Sequence, residues 1–217
     1  MSRTMETVNI LVLVSGGGSN LQALIDAEKE NAFTKGGECS GKIALIISDR
    51  EGVYALERAA AAGVPSLVLK PDYKLPRTER REKLSCQILQ HCREKNIGLI
   101  VFAGFLSVLA GDIVNEYSGR MINIHPALLP KYGGQGMYGE HVHRSVLEAG
   151  ETESGCTVHL VEAGIDTGPI LLQRKVTVLP GDDARSLAER IIKEEHIAIV
   201  EAVKIMIWRK HEKAGAC

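Results

Sequence analysis

The segment that most restricts the fold is Val8–Val14 (VNILVLV), a largely apolar, β-branched run that stops at Ser15-Gly-Gly-Gly-Ser-Asn20. A run without alternation reads as a strand buried on both faces, which is the signature of a parallel sheet. Parallel strands need crossover connections, so a helix is expected after the glycines. Leu21, Leu24 and Ile25 fall on one side of such a helix beginning at Ser19.

The same alternation continues along the chain. Apolar runs at Ile43–Ile47, Ser66–Leu69, Ile97–Ala103 and Met121–Ile124 are separated by helical stretches over Ala55–Ala62 and Arg77–Lys95. This spacing predicts a Rossmann-like, doubly wound α/β fold with a mostly parallel sheet and helices on both faces. Beyond it lie a Gly-rich loop, Lys131–Glu140, and a short helix near Val142–Ala149. Two strand-like runs follow, Cys156–Val161 and Pro169–Val178, then a helix from about Asp183 to Lys210. Glu189/Lys193 and Arg190/Glu194 are expected to support that helix as i,i+4 pairs. With no repeat, linker or low-complexity tract, the 217 residues read as one domain.

Composition excludes several functions. The 26 basic and 27 acidic residues leave no footprint for nucleic acid, and 4% aromatics make no base-stacking platform. Cys39, Cys86, Cys92, Cys156 and Cys217 are odd in number and form no CxxC pair, which implies free thiols in a reducing compartment. Met1–Asn9 lacks the apolar core of a signal peptide, and Ile97–Gly111 falls short of the ~20 apolar residues that span a bilayer. The expectation is a soluble, cytoplasmic protein without a membrane partner.

The loop Ser15–Asn20 turns tightly into a helix N-terminus, where free N–H groups and the positive dipole end favour a phosphate. The alternative is a plain tight turn with Ser19 as helix cap. A dinucleotide is disfavoured: Leu21 stands where G-x-G-x-x-G needs its third glycine, Asp49 lies too far on, and there is no Walker lysine.

Arg120-Met-Ile-Asn-Ile-His-Pro126 carries the chemistry. Strand alternation puts Asn123 and His125 on one side, near the carboxyl edge where open α/β sheets bind ligands. An amide beside an imidazole can clamp an oxyanion and move a proton in acyl-type transfer. Asp166, in a Gly-flanked loop between two strands, would raise the His125 pKa if it reaches it; otherwise it is a hairpin turn residue. His141-x-His143 beside Glu140 does not complete a metal site, and His91, His159, His196 and His211 carry no specific signal.

Together, VSGGGSNL (Val14–Leu21), AGFL (Ala103–Leu106), INIHPALLPKY (Ile122–Tyr132), IDTGP (Ile165–Pro169) and EEH (Glu194–His196) resemble the phosphoribosylglycinamide formyltransferases of purine synthesis. The resemblance runs in order over nearly the whole chain. It implies the formyltransferase fold, a nucleotide-binding half over 1–125 and a folate-side half over 126–217. It implies that Gly18, Ser19 and Asn20 hold the phosphate of glycinamide ribonucleotide, helped by Ile192, Lys193, Glu194 and Glu195. 10-Formyltetrahydrofolate, as cosubstrate, would lie along Leu106, Ser107, Val108 and Leu109 and along Glu162, Ala163, Gly164, Ile165 and Asp166, with Arg77 near its benzoylglutamate end. Asn123 would bind the formyl oxygen, His125 would donate a proton and Asp166 would raise its pKa; no metal is implied.

Two departures stand out. Ser107 replaces the arginine of the family's GF[ML]R segment, and the loop from Tyr132 to His143 is longer than usual, as a lid or a tolerated insertion. A formylfolate hydrolase would use the same Asn/His/Asp set with an N-terminal domain for which Met1–Thr7 leaves no room. Methionyl-tRNA formyltransferase would need a C-terminal barrel and a basic surface, and a non-catalytic nucleotide-binding module would not need Asn123, His125 and Asp166 together. Small-molecule substrates are expected, with monomer and homodimer both open.

Overall fold

The computed structural model describes residues 6–36 and 38–214. The signal-peptide reading of the first residues and the Cys217 thiol lie outside them. Seven strands are present: β1 (Glu6–Val14), β2 (Cys39–Ser48), β3 (Ser66–Val68), β4 (Ile97–Phe102), β5 (Met121–His125), β6 (Glu153–Leu160) and β7 (Ile170–Thr177). The helices are α1 (Ser19–Lys29), α2 (Tyr54–Ala61), α3 (Arg77–Glu94), α4 (Asp112–Glu116), α5 (Glu140–Glu148) and α6 (Ala184–Ala214). They form one sheet of order β3-β2-β1-β4-β5-β6-β7. The chain divides into two compact units, 1–121 with 203–217, and 122–202.

In the first unit β1 pairs in parallel with β2 and β4, and β2 with β3. Ile10–Val14 and Leu45–Ile47 are essentially inaccessible, as two-sided burial of a parallel strand demands. The buried side of α3 (Leu84, Ser85, Ile88, Leu89 and Cys92) recurs at helical spacing. Asn31, Gly63 and Asn96 follow α1, α2 and α3 in the left-handed conformation that ends helices.

In the second unit β5, β6 and β7 pair antiparallel, so the sheet is parallel only in part. β7 alternates between exposed and half-buried residues, the pattern of a strand with one wet face. Two expected ion pairs of α6 are absent. Arg190 instead forks onto the buried carboxylate of Asp182, Nη1 to Oδ1 at 2.8 Å, and Glu194 pairs with Arg174 of β7 at 2.5 Å. Glu189 pairs one turn back with Arg185 at 3.0 Å. Planar guanidinium–carboxylate pairing off the helix displaces exposed i,i+4 pairing, which is worth only tenths of a kcal/mol. The guanidinium holds the Asp182 carboxyl far below the usual carboxylate range. Asp183 and Ser186 exchange side chain-to-backbone hydrogen bonds at 2.7 and 3.1 Å, a reciprocal cap for α6.

Candidate functional site

The glycine loop belongs to the first unit. Gly18, not Ser19, caps α1, with φ of +71°. A Cβ there would sit 2.7 Å from that of Ala55, so both backbone conformation and α2 packing require glycine. Ser19 is thereby shifted into the first helical position, and no side chain caps the helix. No acid occupies the first turn of α1. Arg58 of α2, which has no recognisable sequence signal, reaches the loop: its Nε donates to the Gly17 carbonyl at 2.9 Å.

Leu106–Leu109, on the carboxyl side of β4, is pinned from two sides. The Leu106 N–H donates to Ser15 Oγ at 2.8 Å, and Ser107 Oγ donates to Asp49 Oδ2 at 2.7 Å. Asp49 is buried, so the acid that ends β2 holds this segment through the serine that replaces the family's arginine. Leu106 is exposed and Leu109 buried. Arg77 opens α3. α3 is tied to the segment lower down, where Ser85 Oγ accepts from the Ala110 N–H at 2.8 Å.

The second unit gathers the polar cluster. Asn123 and His125 project on the same side of β5, and antiparallel pairing sets Asn123 opposite His159 and His125 opposite Thr157. Asp166, in the β6–β7 connection with φ of +57°, meets both. Its Oδ2 is 3.6 Å from His125 Nδ1 and its Oδ1 accepts from Asn123 Nδ2 at 3.4 Å. His159 completes the group, its Nε2 lying 3.1 Å from Asn123 Nδ2 and 3.5 Å from Asp166 Oδ1. His159 Nδ1–H donates to the Leu160 carbonyl at 2.8 Å, which fixes the ring against Asn123 and Asp166. His159 was overlooked in sequence; the available signal is Thr157-x-His159, two polar residues at strand alternation in an apolar run.

The Gly-rich loop covers this cluster. The Tyr132 carbonyl lies 2.7 Å from His125 Nε2, and the Gly134 N–H donates to Asp166 Oδ2 at 3.0 Å. A Cβ on Gly133 would stand 2.5 Å from Leu129 Cδ2 and 3.3 Å from Asp166 Cβ, so a larger residue there would push on both side chains. Glu162, Ala163 and Gly164 are exposed and Ile165 is half-buried. On α6, Ile192 and Lys193 are exposed, Glu194 is committed to Arg174 and Glu195 is buried.

At His125 the expected influence of Asp166 is opposed by a larger one. Burial lowers the His125 pKa, and the opposing influences of Asp166 and the Tyr132 carbonyl do not offset it. Asp166 does favour the imidazolium, but a ring only 3% exposed loses more hydration than one carboxylate at 3.6 Å returns. For Asp166, burial alone would raise the pKa. The His159 ring, the Gly134 N–H and the charge of His125 more than reverse this, leaving it below the usual range. His143, buried on α5, is also lowered, chiefly by burial and then by His125. Among the described residues no group of three or more His, Cys, Asp or Glu is arranged to hold a metal ion.

These depressed histidines make stability fall in acid. The unfolded chain, with His near ~6.5, binds more protons than the folded one below that pH. Stability is therefore full above about pH 6.5 and is lost as pH drops through the interval down to the folded values. His143 Nδ1 has no hydrogen-bond partner. His143→Leu is thus expected to shrink the fall in Tm between pH 7.5 and 5.5; an undiminished fall would exclude His143 as a contributor.

An amide and an imidazole on one strand of an open α/β sheet, met by a carboxylate from the β6–β7 connection, are the equipment of an enzyme acting at a carbonyl centre. The chain belongs to the formyl transferase family, whose match covers residues 8–203. It is 45% identical over 199 residues to the trifunctional purine biosynthetic protein adenosine-3 of Drosophila melanogaster, covering 91% of this chain and 14% of that protein. It thus spans about one-seventh of the trifunctional insect relatives it matches. Phosphoribosylglycinamide formyltransferase of Escherichia coli K12 is 38% identical over 189 residues, 87% of this chain and 82% of that one. Among solved structures, glycinamide ribonucleotide transformylase 1 of Symbiobacterium toebii matches with a TM-score of 0.81 at 38% identity, covering 91% and 86% of the two chains.

Proposed function

We propose that the chain transfers the formyl group of 10-formyltetrahydrofolate to the amine of glycinamide ribonucleotide, a step of purine synthesis, working as one formyl transferase domain. The observation that carries this is the convergence of Asn123 and His125 on Asp166 in a chain of this family. The amine attacks the formyl carbon, and as the new C–N bond forms the carbonyl pair moves onto oxygen. Asn123 and the protonated form of His125 hold that oxyanion. The bond from carbon to the folate N10 then breaks, and N10 takes the proton that the amine gives up, passed through His125. The 3.4 Å contact of Asn123 Nδ2 with Asp166 is long, so a formyl oxygen can take over that proton while the bond to His159 keeps the amide in place. Holding amine and formyl carbon together can supply ~7–11 kcal/mol, more than either side chain.

In this reading Gly18, Ser19 and Asn20 take the phosphate, helped by the segment 192–195. The folate lies along Leu106–Leu109 and Glu162–Asp166, with Arg77 toward its tail. The substrates are small molecules, with no nucleic-acid or membrane partner. Among the described residues no helix is long and apolar enough to cross a membrane. The free thiols of Cys39, Cys86, Cys92 and Cys156 support a reducing, cytoplasmic setting.

The test is an absorbance assay of deformylation with and without glycinamide ribonucleotide. Turnover that requires the ribonucleotide is expected. Turnover indifferent to it would make the chain a hydrolase and overturn the reading.

A further inference from the structure

We infer that Arg58 is the positioning residue of the phosphate loop and the source of its positive charge, an inference that rests on the phosphate reading of Gly18–Asn20. Three carbonyls of the loop are spoken for. That of Gly16 accepts from the Ala55 N–H at 3.2 Å, that of Gly17 from Arg58 Nε at 2.9 Å, and that of Gly18 from the Gln22 N–H at 2.9 Å. Because a trans peptide sets its C=O and N–H on opposite sides, fixing these carbonyls aims the N–H groups of Gly17, Gly18 and Ser19 the other way. None of those three donates within the protein among the described residues. The result is a concave set of backbone donors at an uncapped helix start, with φ of +71° at Gly18 supplying the bend.

Arg58 clamps the Gly17 carbonyl of the loop with its side chain, and it is itself held on three sides. Nη1 donates to Gln22 Oε1 at 2.9 Å, and the guanidinium lies 4.7 Å over the Tyr54 ring. Its remaining nitrogen, Nη2, has no partner among the described residues. Gln22 is the residue whose N–H closes the first turn onto Gly18, so one guanidinium braces both the loop and the turn that follows. This sets a positive charge behind the loop, on its carbonyl side, where it reinforces the N–H donors through the peptide it grips. A lysine would provide charge without the planar, two-point grip that sets the Gly17 peptide.

The test compares wild type with Arg58→Met, which removes charge and grip, and Arg58→Lys, which keeps the charge alone. Ribose 5-phosphate and inorganic phosphate serve as probes, followed by backbone amide shifts of Gly16–Asn20. Arg58→Met is expected to weaken ribose 5-phosphate about tenfold or more, with Arg58→Lys between it and wild type. The KM for glycinamide ribonucleotide should rise with kcat and formylfolate affinity little changed. Equal phosphate affinity in all three proteins would overturn the role of Arg58 while leaving the phosphate loop intact. Failure of either probe to shift those amides in wild type would overturn the phosphate reading, and this inference with it.

Discussion

Replacing Asp166 with asparagine is expected to leave a folded protein that turns over ~10²–10⁴-fold more slowly, the range in which a positioned proton donor contributes. The substitution keeps shape and removes charge. Asp166 is the largest influence opposing the burial of His125, so its loss lowers the His125 pKa further. With the asparagine carbonyl in the place of Oδ2, its amide N–H would face the Asn123 Nδ2 that now donates to Asp166 Oδ1, a donor set against a donor. The Gly134 N–H keeps an acceptor if the asparagine carbonyl replaces Oδ2, so the loop stays seated and the unfolding free energy should drop by no more than a lost charged hydrogen bond allows, ~1–3 kcal/mol. The decisive readout is the pH dependence of kcat/KM. Activity that needs the imidazolium falls as pH rises through the His125 pKa, and Asp166→Asn must move that limb to lower pH. An unmoved limb would mean that Asp166 acts only as a brace for the loop. Phosphate affinity, read at the glycine loop, should not change.

How much of this could be read in advance varied with the range of the interaction. Two-sided burial marked β1, β2 and β4, because a strand covered on both faces cannot hide its composition. Alternation placed Asn123 and His125 together, because period two is a local property. The antiparallel sense of β5–β6–β7 has no local signal, and with it the pairing of Asn123 with His159 escaped notice. Gly18 is the cap, in place of the Ser19 of the plain-turn alternative, because the turn needs a left-handed residue and α2 leaves no space for a Cβ. The ion pairs of α6 went to Asp182 and Arg174, which approach it from outside the helix. Asp166 raises the His125 pKa as expected, yet the net shift is downward, because a sequence shows that a carboxylate can be near but not how much water the ring has lost. The seating of Gly133 and Gly134 against Asp166 is likewise a long-range contact with no local signal.

Asn123→Ala and His125→Ala are expected to fold and to lose most turnover, but by different routes. Asn123 is half-buried, and its removal leaves His159 Nε2 and Asp166 Oδ1 in reach of water, so the cost to stability is small. What disappears is an oxyanion donor, ~10²–10³ in rate. His125→Ala removes both a donor and the carrier of the proton to N10, ~10²–10⁴. It also strips the Tyr132 carbonyl of its partner, so the Gly134 amide should exchange hydrogen faster in this variant and not in Asn123→Ala. The double variant should fall well short of the product of the single losses, since both groups serve one oxyanion. Near-wild-type turnover in either single variant would remove that residue from the chemistry. Full additivity in the double would instead mean that Asn123 and His125 act on different steps, with the amide binding the formyl oxygen and the imidazole moving the proton only after the tetrahedral carbon has formed.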